Sequence, residues 1–310
     1  MFKIPINSFY VMCCVVGLLI VSTLIRLVLR RKNPKQDYTE LRQRIQSWYL
    51  MVGILFVVLA FSTTAAVVFF GFLSFLALKE FLSIVPMRLS DRSVIFWAYL
   101  SIPLQYYWII TGWYGMFIIF IPVYMFLFLS LRMVLTGETK GFIRAVGTIH
   151  WAVMLTVFCI SHIAYLLVLA VKNPEAGSIG LVLFLLLMTQ LNDVFQYVWG
   201  KLFGRHKIIP KVSPNKTWEG FLGGLFSIVI ICGFVAPLLT PLSSSQGLLA
   251  GLLISCTGFI GDVVVSSVKR DLQIKDSGNL IPGHGGILDR LDSLTFTAPL
   301  FFHLIHYIAY

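Results

Sequence analysis

The sequence predicts an all-α fold: a polytopic integral membrane helical bundle of about ten transmembrane helices, with nine as the alternative count. Three observations predict it. The 310 residues are 58% hydrophobic and 12% charged, with a mean hydropathy of +0.88, whereas a soluble domain carries about 25% charged residues. The apolar residues run on continuously over lengths near the ~20 residues that cross a bilayer as a helix, which excludes the alternating segments of a β-barrel. The basic residues keep to alternate loops: of 24 lysines and arginines, all but Lys3 and Lys172 lie after odd-numbered spans or on their flanks. That bias places the odd loops in the cytoplasm and both termini outside, and a nine-span count would scatter it.

In chain order the spans are expected at 9–29, 48–62, 64–83, 93–111, 113–134, 145–171, 178–200, 218–240, 247–270 and 291–309. The first lacks a small-residue cleavage site and is flanked by Arg30-Arg31-Lys32, so it reads as a retained signal-anchor. The polar run 37–47 (DYTELRQRIQS) reads as a short surface helix. The second and third spans form one apolar block, split near Ser62-Thr63-Thr64. The loop at 86–92 is bland. The first six spans hold no acid in mid-span and read as scaffold, with His150 and His162 as packed histidines. Three regions follow: 1–47, anchor and linker; 48–177, transmembrane scaffold; 178–310, the chemistry-bearing part.

Composition also limits function. No polar stretch is long enough to fold alone. The net charge of +11 comes from the loops, so it does not point to nucleic acid; the run at 26–44 suits anionic lipid. Cys13, Cys14, Cys159, Cys232 and Cys256 lie in apolar runs without metal-type spacing. No internal repeat is visible, which argues against an inverted-repeat transporter.

Three polar clusters interrupt the C-terminal half. The seventh span carries Gln190, Asn192, Asp193, Gln196 and Tyr197; Gln190, Asp193 and Tyr197 share one helix face, Asn192 and Gln196 an adjacent one. Amides are ordinary interhelical glue, but a carboxylate at that depth must be paired, protonated or wetted. The second cluster, residues 200–224, combines five basic residues with Ser213, Asn215, Lys216 and Thr217. Thr217 is a candidate cap for the eighth span, with Glu219 in its first turn and backbone N–H groups able to hold phosphate oxygens. Gly220, Gly223 and Gly224 permit a close neighbour. The third cluster is the stretch Gly261 to Asp292, which holds five of the chain's 13 acids. Asp262, Ser266 and Lys269 fall at i, i+4 and i+7 on one face of the ninth span, with Asp262 about 12 Å deeper than Arg270. Asp289 and Asp292 open the tenth span beside Gly283-His284-Gly285-Gly286. Carboxylates near a phosphate-binding loop suit Mg²⁺, which takes oxygen ligands, and the whole suggests phosphoryl-type chemistry at the membrane surface.

At these residues the sequence resembles the phosphatidate cytidylyltransferase (CDP-diacylglycerol synthase) family. The pattern Ser, two residues, Lys-Arg, four residues, Lys-Asp, then His-Gly-Gly and Asp-Arg-hydrophobic-Asp is met by Ser266, Lys269, Arg270, Lys275, Asp276, His284, Gly285, Gly286, Asp289, Arg290 and Asp292. The upstream SPNKTWEG, 213–220, is similar to a second family element. The likeness covers about 185–295 firmly. It departs at Asp193, which Val-Phe-Gln-Tyr follows where an Ala-Tyr pair is common, and at the added first span.

The resemblance implies CTP plus phosphatidic acid, or a related lipid phosphate, giving CDP-diacylglycerol plus pyrophosphate. It implies Asp262 and Asp289 as ligands of Mg²⁺, with room for K⁺ beside it, and Lys216, Lys269 and Arg270 on phosphates. Ser213, Asn215, Thr217 and Ser266 would help bind the polar substrate, His284, Gly285 and Gly286 would shape the loop, and Asp193 and Asp292 would complete the site. A homodimer in membrane lipid is compatible with the sequence. A bacterial inner membrane, with the site facing the cytoplasm, is the expected location.

Overall fold

The computed structural model describes residues 4–33, 37–278, 280 and 285–310. Among them the chain forms ten long helices: α1 (Ile6–Lys32), α2 (Thr39–Phe61), α3 (Thr63–Ile84), α4 (Arg92–Ile110), α5 (Tyr114–Val134), α6 (Phe142–Leu166), α7 (Gly177–Phe203), α8 (Trp218–Leu239), α9 (Ser244–Asp271) and α10 (Leu288–Ala309). Nine of the described helices are long and apolar enough to cross a membrane. The remaining one, α10, has 22 residues, hence about 33 Å of length, but its apolar face is diluted by acids and histidines. The chain is a polytopic helical membrane protein.

Each expected span has its helix, and local chemistry sets the ends. The break between α2 and α3 falls at Ser62, whose hydroxyl accepts from Ala65 N at 3.0 Å. The start of α9 is fixed by Ser243 and Gln246 in a reciprocal capping box, three residues before the expected 247. The run 37–47 is not a separate surface helix: α2 is continuous from Thr39, so most of that run forms its first turns. The sixth helix stops at Leu166 instead of 171. π-type turns widen α5 at Phe120–Met125 and α6 at Met154–Phe158, a break in hydrogen bonding that hydropathy does not register.

Interloop hydrogen bonds identify two ends. At the basic end, Arg88 donates to the carbonyls of Glu138 and Lys140 at 3.0 and 2.9 Å while pairing with the buried Asp91 at 2.7 Å. The loop at 86–92 is therefore a clamp between the α3–α4 and α5–α6 connections. Arg270 ties the end of α9 to the α7–α8 loop through Val212 O at 3.2 Å. At the opposite end, Asn7 and Asn173 both bond to Leu238 O, and Tyr310 donates to Ala170 O at 2.6 Å.

The densest packing joins α7, α8, α9 and α10. The glycines of α8 do what their spacing predicts: a Cβ on Gly224 would lie 2.5 Å from Gln196 Cγ, so α7 and α8 meet almost backbone to backbone. Helix α1 lies apart, exposed along most of its length and held near its start by Ser8, whose hydroxyl donates to Ala176 O at 2.6 Å. His162 is buried among Phe117, Phe158 and Phe302, with Nδ1 on Phe158 O at 2.7 Å, and His150 bonds the carbonyls of Val146 and Phe126. Both are packing residues, as expected.

Candidate active site

The polar residues of the last four long helices converge at the basic end. From α7, Asn192 is fully buried and accepts at Oδ1 from Ser255 of α9 at 2.8 Å. Its neighbour Asp193 accepts from the Ser293 hydroxyl of α10 at 3.2 and 3.1 Å. One turn on, Gln196 accepts from Lys216 Nζ at 3.2 Å. Tyr197 turns outward instead, 66% exposed, over the Lys201 ammonium.

The α7–α8 connection is ordered by its own backbone. Lys207 and Thr217 form an antiparallel bridge, Ile208 N donates to Lys216 O at 3.1 Å, and Trp218 N donates to His206 O at 2.9 Å. Thr217 caps α8, its hydroxyl accepting from Gly220 N at 3.2 Å. Glu219 holds the loop's other strand, accepting from Arg205 N at 3.0 Å and from His206 Nδ1 at 2.6 Å. This folding aims Lys216 inward, where its Nζ reaches Asp262 Oδ2 at 2.7 Å and lies 5.2 Å from the centre of the Phe259 ring. Asn215 is exposed and Ser213 half-buried; their side chains make no hydrogen bond among the described residues.

On α9 the helical spacing holds. Ser266 donates to Asp262 Oδ1 at 3.2 Å, and Lys269 Nζ reaches Asp289 Oδ1 at 2.7 Å. Asp289 Oδ2 accepts from the backbone N–H of Ser277 at 2.8 Å and of Gly286 at 3.0 Å. Gly285 has φ +81°, and a Cβ there would lie 2.5 Å from Asp289 Oδ2. Arg270 does not join this group: its guanidinium donates to the carbonyls of Val212 and Ile274. His284 lies outside the described residues.

Helices α9 and α10 approach so closely at Gly261 that a Cβ would sit 2.6 Å from Asp292 O. That approach sets Asp292 and Ser293 against the position preceding Asp262, and Ser293 in turn reaches Asp193 of α7. Among the described residues neither Asp193 nor Asp292 forms an ion pair. Three buried N–H groups in the same region, Asn192 Nδ2, Gln196 Nε2 and Arg290 Nε, have no acceptor among the described residues. Buried donors are ordinarily satisfied, and the orphan on Gln196, whose oxygen is held by Lys216, suits an acceptor-rich ligand such as a phosphate.

The structure adds residues that the sequence did not offer. Ser255, Ser277 and Ser293 fix the acids and amides. Glu80, at the end of α3, accepts from the N–H groups of Ile287 and Leu288 at 2.8 and 3.0 Å and from the Ser277 hydroxyl. An acid closing a membrane span beside Lys79 was the one signal available, and by helical pattern it belonged to the scaffold.

A family model described as the cytidylyltransferase family matches residues 42–308. The chain belongs to that family. It is therefore a nucleotidyltransferase. The cytidylyltransferase is 46% identical over 294 residues to the Escherichia coli (strain K12) protein called "Uncharacterized protein YnbB", covering 95% of this chain and 97% of YnbB. It is 41% identical over 159 residues to the phosphatidate cytidylyltransferase of Staphylococcus saprophyticus and 40% identical over 159 residues to that of Staphylococcus aureus (strain COL). In both cases the match covers 49% of this chain and 59% of the staphylococcal protein.

Proposed function

We propose that this cytidylyltransferase joins CTP to a membrane lipid phosphate, with phosphatidic acid the leading acceptor, giving CDP-diacylglycerol and pyrophosphate. The observation that carries the reading is a pair of lysine–carboxylate latches, Lys216 on Asp262 and Lys269 on Asp289, at the mouth of an acid-lined cluster. Each lysine is a cation parked on an acid and able to turn to an incoming phosphate. In the reaction an oxygen of the lipid phosphate attacks the α-phosphorus of CTP, and the bond from that phosphorus to the bridging oxygen breaks to release pyrophosphate. The attacking oxygen is already anionic, so no protein nucleophile is needed; the residues position the phosphates and neutralise their charge.

The donor set fits Mg²⁺. Among the described residues no group of three or more His, Cys, Asp or Glu could hold a metal by itself, but Mg²⁺ commonly takes one or two carboxylates plus waters and substrate phosphates. Asp262 and Asp289 each keep one oxygen whose ionic partner is a lysine, and these two would hold it. When bound, the ion would offset charge on the transferring phosphates. Lys216 and Lys269 would then lie on phosphate oxygens, Thr217 and Glu219 would keep the Lys216 loop in place, and the buried amides would bind what the lysines do not reach.

A lipid acceptor is further supported by an apolar groove of 690 Å³ lined by Pro122, Phe126, Met154, Phe158, Thr295 and Phe296. Thr295 is one helical turn from Asp292, so an acyl chain there would start beside the acids. A different lipid phosphate is the second reading, because the similarity to phosphatidate cytidylyltransferases leaves half of this chain unmatched. Purified protein with labelled CTP, Mg²⁺ and a panel of lipid phosphates separates the two. Phosphatidic acid should give the fastest CDP-lipid formation; a faster acceptor would replace it, and no CTP-dependent lipid product from any acceptor would sink both readings.

A further inference from the structure

Helix α10 starts without a side-chain cap of its own: Ile287 precedes it and offers none. Its first N–H groups nonetheless have acceptors, because the carboxylate comes from a distant part of the chain. Glu80 Oε2 accepts from Ile287 N at 2.8 Å, and Oε1 accepts from Leu288 N at 3.0 Å and from the Ser277 hydroxyl. These are the orphan donors that any helix start presents, and a negative charge is favourable there. Among the described residues Glu80 makes no ion pair, so neutral donors and the helix end are what hold it.

The same segment is also read by the site. Ser277 gives its hydroxyl to Glu80 and its backbone N–H to Asp289 Oδ2. Gly286 gives its N–H to Asp289 Oδ2, and a Cβ on Gly286 would run into the Glu80 carboxylate. Two carboxylates, one from the scaffold and one from the site, thus share the donors of residues 277 and 286–288. With Oδ2 of Asp289 fixed by backbone, only Oδ1 is left to face Lys269.

We propose that Glu80 is a positioning residue of the active site: by clamping Ser277 to the start of α10 it sets the orientation of Asp289 and so links the α3 scaffold to the phosphate-handling residues. The inference rests on the function proposed above. The test uses the purified full-length protein and three variants, Glu80→Ala, Glu80→Gln and Glu80→Asp. A glutamine oxygen at the Oε1 position keeps Leu288 and Ser277 but sets an NH₂ against Ile287 N–H, so its effect is intermediate. Asp lacks the reach. In Glu80→Ala, kcat should fall on the order of 100-fold while the KM for CTP changes less than about threefold, and half-saturation by Mg²⁺ should rise on the order of tenfold. Glu80→Gln should recover part of both. A purely structural role would lower the amount of active protein and leave the Mg²⁺ response unmoved.

Hydrogen exchange gives the readout that does not depend on turnover. In Glu80→Ala the amides of Ser277, Gly286, Ile287 and Leu288 should lose protection while those of α7 and α8 keep theirs. If wild-type protein turns over no lipid phosphate, the function reading fails, and exchange alone then decides whether Glu80 positions this segment. Unchanged protection there, an unmoved Mg²⁺ response in an active enzyme, or loss of the fold in all three variants would each overturn the proposal.

Discussion

Asp289 is the residue on which the site turns, because each of its oxygens has a different kind of partner. Oδ2 is fixed by two backbone N–H groups and Oδ1 by Lys269, and the side chain is 4% exposed. Asn at this position is nearly isosteric but has only one acceptor oxygen. Turned one way, its NH₂ faces Ser277 and Gly286 N–H; turned the other way, it faces the Lys269 ammonium. Either way a donor meets a donor, and Lys269 loses its counter-charge at 12% exposure. Asp289→Asn should therefore lower turnover by at least about 100-fold, as expected when a preorganised charge is lost, and lower stability by about 1–3 kcal/mol. CTP turnover by the inserted protein, compared with its thermal unfolding in detergent, checks both; near-normal activity would remove Asp289 from the reaction. Asp262, Ser266 and Lys269 were legible in the sequence because one helix brings them together by spacing alone. Asp289 was legible as an acid opening the last span beside a glycine loop, and the resemblance added its pairing with Asp262. Glu80 was not, since 197 positions separate it from Ser277 and no local pattern encodes such a contact.

At the scale of helices, the seam between α9 and α10 decides whether the acids face one another. Gly261 lies one position before Asp262, and a Cβ there would sit 2.6 Å from Asp292 O and 3.2 Å from Ser293 Cα. Backbone atoms cannot rotate away as a side chain can, so the helices themselves must part. Gly261→Ala should cost about 1–3 kcal/mol through overpacking. It should also reduce activity well beyond the loss of folded protein, because Asp262 moves away from Asp292. Gly17, with nothing within 4 Å of a Cβ, is the control: Gly17→Ala should leave both unchanged. Measuring activity per folded molecule separates the effects, and a Gly261→Ala enzyme with normal specific activity would show that the spacing is unimportant. Hydropathy located the helices because it tracks contact with lipid. It missed the first turns of α2, which are polar, and the π-type turns of α5 and α6, which change hydrogen bonding without changing apolarity. Helical spacing, not hydropathy, put Gln190, Asp193 and Tyr197 on one face and Asn192 and Gln196 on the next; packing then buries that second pair and leaves Tyr197 66% exposed at the end of the first.

For the whole molecule, the two ends differ in charge as well as in bonding. The Arg88 clamp, the Arg270 tie, Glu80 and both lysine latches all lie at the end where the basic loops gather. If positive loops remain on the cytoplasmic side, the proposed CTP site opens to the compartment that supplies nucleotide. Two exposed positions report on this. Thr139 sits in the α5–α6 connection at the basic end, and Ser244 starts α9 at the other end. In a variant with the five native cysteines replaced, Ser244→Cys should react with a membrane-impermeant thiol reagent applied to cells whose outer face is accessible. Thr139→Cys should react only after the membrane is permeabilised. The native thiols are replaced so that every label reports an introduced cysteine. The reverse labelling pattern would put the lysine latches on the side without CTP. A cytidylyltransferase cannot work from there, so a topology measurement made without any substrate bears directly on the proposed reaction.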